Sequence, residues 1–216
     1  MSRATRRGRR PPGVRLMDTA RYVIAVLTVV TVPPAIFYWI IGHPLAAFWR
    51  RVGPLVTYSV LLGTMALGCW GIWLLRDPIF AIEFGTNWAL VWPAAVAYVA
   101  AFAVQFRIRR QLTFKVLIGL PEFAPDRSPG NLMTTGLYAR VRHPRYVAVI
   151  LGVLAAAMFA NYLAGYVCLV LSWLGILLVV RLEERELLER FGEPYARYRE
   201  SVPAFVPRRK APSTDR

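Results

Sequence analysis

Four stretches without a charged side chain, residues 22–49, 52–75, 84–106 and 146–180, decide what this chain can fold into. A hydrocarbon core of ~30 Å needs about 20 helical residues at ~1.5 Å each, and soluble cores do not normally tolerate apolar runs of such length. The charge is confined to the blocks between them: 27 Lys and Arg oppose 12 Asp and Glu in 216 residues, for a formal net charge of +15. With 56% hydrophobic residues and a mean hydropathy of +0.42, disordered, collagenous and disulfide-scaffold classes are excluded. Cys69 and Cys168 both lie inside apolar runs and read as small buried hydrophobes, not as a disulfide, metal pair or nucleophile. The expected fold is all-α, a polytopic membrane bundle of about five membrane-embedded helices.

Spans are expected over 22–42, 54–75 and 88–106. Segments 144–160 and 164–180 are parted by Asn161, Tyr162 and Leu163 alone, which predicts a tight C-terminal hairpin. Its second arm meets no helix breaker until Gly192 and Pro194, so it is expected to continue from the bilayer into water. Residues 1–21 hold seven arginines, one acid and Pro11-Pro12 and are expected to form a flexible basic cytoplasmic tail near anionic headgroups; no small-x-small cleavage site supports a signal peptide. The tail and the 107–145 linker each carry +6. A full crossing by the first span puts these blocks on opposite sides, against the positive-inside rule, whereas a re-entrant element at Pro33-Pro34 puts both inside; the depth of this span stays open. The expected organisation is a tail (1–21), three N-terminal membrane helices (22–106), a catalytic region facing the cytoplasm (107–207) and a second tail (208–216).

Ionisable groups beside lipid generally have a use, and two clusters carry them here. One runs from Thr134 through Gly136, Tyr138, Arg140 and Arg142-His143-Pro144-Arg145-Tyr146. Pro144 suits the first turn of a helix, leaving His143 near free backbone N–H groups that favour an electron-rich ligand atom. Its bland reading is a basic interfacial anchor. The other runs from Arg181 to Phe191, where Leu177, Val180, Glu184, Leu188 and Phe191 share one helical stripe. Glu183, Glu186 and Glu189 have bland readings as solvated or i, i+4 paired positions. Because the hairpin returns the chain to the side it left, the Arg142-His143 end and the Glu183-Glu184 end are expected to be neighbours. Tyr195 and Tyr198 fall on a short amphipathic helix, either a membrane anchor or a lid over that pocket. His43-Pro44 and Trp49-Arg50-Arg51 read as interfacial anchors.

Absences narrow the reaction. The sequence has no GxGxxG or GxxxxGK[ST] loop, no HExxH, no paired-cysteine metal spacing, and only two histidines, His43 and His143, so phosphate cradles, metal sites and a Ser-His-Asp set are unsupported. Group transfer by positioning fits better than hydrolysis by proton relay.

The ordered set Gly136-x-Tyr138, Arg142-His143-Pro144-x-Tyr146, a hairpin, Glu183-Glu184-x-x-Leu187, Phe191-Gly192-x-x-Tyr195-x-x-Tyr198 and Val202-Pro203-x-x-x-Pro207 resembles the isoprenylcysteine carboxyl methyltransferase and phospholipid methyltransferase superfamily over roughly 131–207. The resemblance implies an S-adenosylmethionine-dependent methyltransferase of the integral membrane, with a lipid or isoprenoid acceptor arriving from the bilayer. It implies that Tyr138, Arg142, His143, Pro144, Tyr146, Glu183, Glu184, Tyr195 and Tyr198 hold the cofactor, and it leaves Glu184, Arg190 and Arg199 as candidate catalytic residues. Arg190 or Arg199 is assigned to an acceptor carboxylate on chemical grounds. Members often have glycine where Ala148 stands and arginine where Ala139 stands. An isoprenoid-linked carboxylate is the first expected acceptor and a phospholipid amine the second. The alternatives are an NADPH-dependent lipid or sterol reductase, against which Arg145 counts, and a non-enzymatic membrane scaffold. The net charge needs no nucleic acid, because membrane topology accounts for the arginines.

Overall fold

The computed structural model describes residues 12–112, 116, 119–123 and 131–207. Residues 1–11 of the expected basic tail and the C-terminal tail 208–216 lie outside them. Nine helices are described: α1 (Pro12–Gly42), α2 (Ala46–Val52), α3 (Pro54–Leu74), α4 (Arg76–Ile79), α5 (Trp88–Gln111), α6 (Leu120–Phe123), α7 (Pro144–Ala160), α8 (Leu163–Phe191) and α9 (Glu193–Ser201). α1, α3, α5 and α8 are long and apolar enough to cross a membrane, and α7 is a shorter apolar helix. α1 packs against α3, α7 and α8, and α5 lies along α7. Large apolar side chains such as Leu67, Trp70, Val96 and Phe102 are exposed on α3 and α5, the surface a lipid-facing helix presents.

Local chemistry explains the boundaries. The Asn87 side chain accepts the Ala89 N–H at the start of α5, a helix N-cap. Pro144 opens α7 at a position where its missing N–H costs nothing. Asn161 closes α7 in the left-handed conformation, φ 56° and ψ 48°, one of the few residue types that adopts it readily. This is the expected hairpin turn. It is held from outside: Asn161 Nδ2 donates to the Gly85 carbonyl at 2.9 Å, and the Phe84 N–H donates to the Asn161 carbonyl at 3.0 Å.

One expectation changes here, and one point left open is narrowed. Residues 12–21 are helical, not tail, because Arg21 is an anchor. Its side chain is 1% exposed, and its Nε and Nη2 donate to the Ala160 carbonyl at 3.0 and 2.8 Å. Its Nη1 pairs with Glu83 at 2.9 Å and Asp18 at 3.4 Å. An orphan carbonyl at a helix C-terminus is a favourable partner for a cation, and the two carboxylates offset the cost of burying it. Second, α1 is one helix through Pro33-Pro34. Pro34 packs against α3 where Gly68 leaves room, since a Cβ there would stand 3.2 Å from the proline ring. α1 therefore starts near the hairpin turn and ends at Gly42, just before His43, which lies beside Glu186 near the other end of α8.

Candidate active site

The Arg142-His143 loop and the Glu183-Glu184 turn meet as expected. One oxygen, Glu184 Oε1, receives Arg142 Nε at 2.9 Å, Arg142 Nη2 at 2.6 Å and His143 Nε2 at 3.0 Å. His143 Nδ1 lies 3.5 Å from Glu183 Oε2, so the imidazole stands between two carboxylates. Burial of the ring favours the neutral form, but the facing Glu183 and Glu184 outweigh it and lift the His143 pKa to about 9. At neutral pH the ring is an imidazolium that donates on both sides, not a free base.

The same loop is stapled to the chain's C-terminal segment. Arg142 Nη1 donates to the carbonyls of Arg199, at 2.9 Å, and Val202. The backbone N–H groups of Arg142 and His143 donate to Pro203 and Ala204 at 2.9 and 3.0 Å. Pro203 and Ala204, just beyond the interfacial helix, thus supply the acceptors that position the Arg142-His143 loop. α9 turns back at Gly192, φ 58° and ψ −132°. It packs Tyr195 and Tyr198 onto Leu132, Leu187, Leu188 and Phe191, so these rings face protein and not lipid. The Tyr198 hydroxyl donates to the Tyr138 carbonyl at 2.7 Å. The turn bearing Tyr138 needs a glycine at 136: φ is +63°, and a Cβ would run into the Gln111 side chain.

These elements enclose a cavity of about 130 Å³ lined by Tyr138, Arg142, His143, Tyr146, Glu183, Tyr195 and Tyr198. Two of its buried polar atoms, Glu183 Oε2 and the Tyr195 hydroxyl, have no hydrogen-bond partner among the described residues, although Glu183 Oε2 has the nearby imidazolium. Buried polar atoms are rarely left so. Burial raises the phenols of Tyr138 and Tyr198 to about 12 and that of Tyr195 further still, so all three are neutral hydroxyls.

Other expected residues sit elsewhere. Pro144 is fully buried below the cavity, and Ala148 is also buried, off the lining. Glu184 is taken up by Arg142 and His143. Arg190 stacks over Phe191 and approaches Glu186 at 4.0 Å. The Arg199 side chain is exposed, and only its carbonyl joins the site.

Glu186 has the expected i, i+4 pair with Arg190 but is not solvated: it is buried, 3.2 Å from Arg50 and 3.7 Å from His43. His43 and Arg50 are therefore parts of the protein's packing and more than interfacial anchors. Arg145, a position the motif leaves free, also lines the cavity. The burial of Glu186 carries no local signal because the partners that enclose it, Arg50 and His43, are 136 and 143 residues away. Arg145 falls one residue inside α7, next to the Arg142-His143 loop, where its place in the basic cluster was the available signal.

Residues 89–194, from α5 to the start of α9, match the family model for phospholipid methyltransferase. Over these residues, just under half of its length, the chain is similar to that family. Among curated relatives, the protein-S-isoprenylcysteine O-methyltransferase of Schizosaccharomyces pombe is 34% identical over 35% of this chain and 33% of its own length. Methanethiol S-methyltransferase 1 of Bradyrhizobium diazoefficiens is 28% identical over 65% and 47%. The cobalt-zinc-cadmium resistance protein CzcN of Cupriavidus metallidurans is 39% identical over 40% of each chain. The chain spans about a third to just under two thirds of the length of the curated relatives it matches. No solved structure matches it. The phospholipid methyltransferase match contains the clamp of Arg142, His143, Glu183 and Glu184 and stops just before the two tyrosines that cover it.

Proposed function

We propose that this protein transfers a methyl group from S-adenosylmethionine to a membrane-resident acceptor bearing a carboxylate, at a site on the cytoplasmic face. The observation that carries this reading is the cavity between clamp and lid, where a family-matched carboxylate, Glu183, backed by the His143 ring, and a phenol, Tyr195, whose hydroxyl has no hydrogen-bond partner among the described residues, line a small space ringed by aromatics. Those groups fit a cationic nucleoside: Glu183 can accept from its ribose or amino groups, and Tyr195 can hydrogen bond a ring nitrogen. When bound, the donor supplies a sulfonium methyl, and an acceptor oxygen lone pair forms the new C–O bond as the C–S bond breaks and leaves its electron pair on sulfur. The rims of Tyr138, Tyr146 and Tyr195 supply ring faces for a sulfonium, a contribution of ~0.5 to 2 kcal/mol. Alignment in a closed pocket supplies more, ~7 to 11 kcal/mol.

No group among the described cavity residues is poised to take a proton near pH 7. His143 is already charged and held at both nitrogens, and the phenols stay neutral. That favours an acceptor needing no deprotonation, a carboxylate, over an ammonium headgroup or a thiol. The O-methyltransferase among the relatives is named for a substrate of the favoured kind. A cytoplasmic site is supported by charge, with +10 on the segments at the site end and +5 at the other.

The test uses the purified protein in detergent with methyl-labelled donor and a lipid extract. Label that is released as methanol by mild base supports a methyl ester, while base-stable label indicates transfer to nitrogen or sulfur. Absence of donor binding to the wild type, together with absence of label in lipid, overturns the methyltransferase reading itself.

A further inference from the structure

Arg145 is the cation at the cavity that the clamp does not use. Arg142 spends its guanidinium on Glu184 and two carbonyls. The guanidinium of Arg145 instead lies over the Trp39 ring, its central carbon 5.1 Å from the ring centroid. Among the described residues no carboxylate pairs with it, while it lines the cavity next to Tyr146. Trp39 is itself fixed. It stacks on His43 at 5.2 Å and 23° and on Phe123 at 6.5 Å and 15°, and Gly119 approaches so closely that a Cβ would stand 2.8 Å from the indole. The stack therefore holds the Arg145 guanidinium over an aromatic ring at a residue that lines the cavity.

A guanidinium seated in this way has lost part of its hydration without gaining a charged partner, an arrangement that favours binding an anion. Its rigid fork matches a carboxylate through two parallel N–H···O bonds, whereas an ammonium is repelled. We infer that Arg145, seated on Trp39, is the carboxylate-binding residue of this cavity. The inference rests on the methyltransferase reading, under which two molecules bring a carboxylate: the acceptor, and the amino-acid end of the donor. The chemistry is the same for both, and experiment separates them.

The full-length protein in detergent, wild type and Arg145→Met, is titrated with two pairs of probes. S-adenosylhomocysteine and its decarboxylated analogue differ only in the donor-side carboxylate. N-acetyl-S-farnesylcysteine and its carboxamide differ only in the acceptor-side charge. The wild type is expected to prefer the carboxylate member of one pair by roughly tenfold or more, and Arg145→Met is expected to abolish that preference while binding the neutral member as before. Loss in the first pair assigns Arg145 to the donor, and loss in the second to the acceptor. Arg145→Lys, which keeps the charge without the fork, is expected to restore part of the preference and guards against a folding defect in the methionine variant. If wild type binds the probes and Arg145→Met keeps every carboxylate preference, the inference fails while the methyltransferase reading stands. If the wild type binds no nucleoside probe, the failure lies in that reading instead.

Discussion

His143 has an effect on stability whose sign follows from its surroundings. Its pKa rises from 6.5 in an open chain to about 9 in the fold, so folding takes up a proton between those values. The stabilisation is complete below about pH 6.5 and is lost as pH climbs through about 9. Thermal unfolding in detergent should show the melting temperature of the wild type falling over that window relative to His143→Gln, which carries no titrating ring; parallel curves would contradict the clamp. Glu184 sits at the centre of the same network. Glu184→Gln keeps one acceptor but removes the charge that three N–H groups share, and should cost about 1.5–3 kcal/mol, read as a lower denaturation midpoint in the same detergent. The residue types of this clamp were legible in the sequence because two short motifs at the ends of one hairpin must meet. The division of labour within it was not. Glu183 faces the cavity while Glu184 binds the loop, and this depends on contacts from α9 and the Pro203-Ala204 backbone that no local pattern announces.

At the level of elements, α9 is the piece on which access depends. A cavity of about 130 Å³ is smaller than the ~300 Å³ at which ligand pockets usually begin, so the proposed nucleoside would have to displace part of its wall. α9 is the candidate, as it is short, lies beyond the last membrane helix and leaves α8 through a single glycine. Gly192 occupies backbone space that is essentially closed to other residues, and no atom lies within 4 Å of where a Cβ would stand. Gly192→Ala should therefore cost about 1–3 kcal/mol through backbone strain alone. The cost should appear as faster hydrogen exchange in α9 with α7 and the membrane part of α8 unchanged. Uniform exchange loss across the whole molecule would show instead that α9 is integral to the bundle. The stop at Gly192 and Pro194 was readable from residue type, but the direction of the tyrosines was not. An amphipathic stripe of aromatics and arginines reads equally as a membrane anchor, and only the packing of Leu132 and Leu187 against it decides.

For the molecule as a whole, the path of the chain is the strongest commitment, and Arg21 carries it. Five apolar segments were evident from the charge-free runs, but the side on which the first begins was not, because the positive-inside rule and the two prolines pulled opposite ways. The buried guanidinium on the Ala160 carbonyl resolves the conflict. A single ordered cation fixes the start of α1 beside the hairpin turn more firmly than a count of arginines, since displacing it costs that carbonyl two hydrogen bonds and removes the ion pairs with Glu83 and Asp18. Side-specific labelling in sealed vesicles reads this directly. In a background lacking Cys69 and Cys168, Ala81→Cys and Glu200→Cys, both exposed positions at opposite ends, should react with an impermeant maleimide from opposite faces, and Gly13→Cys should follow Ala81→Cys. Arg21→Met should lower stability by about 1.5–3 kcal/mol through the lost charged hydrogen bonds and should leave the labelling pattern of Glu200→Cys intact. Gly13→Cys reacting from the same face as Glu200→Cys would mean that α1 does not cross. The anchoring role of Arg21 would then be void, whatever the stability of the variant.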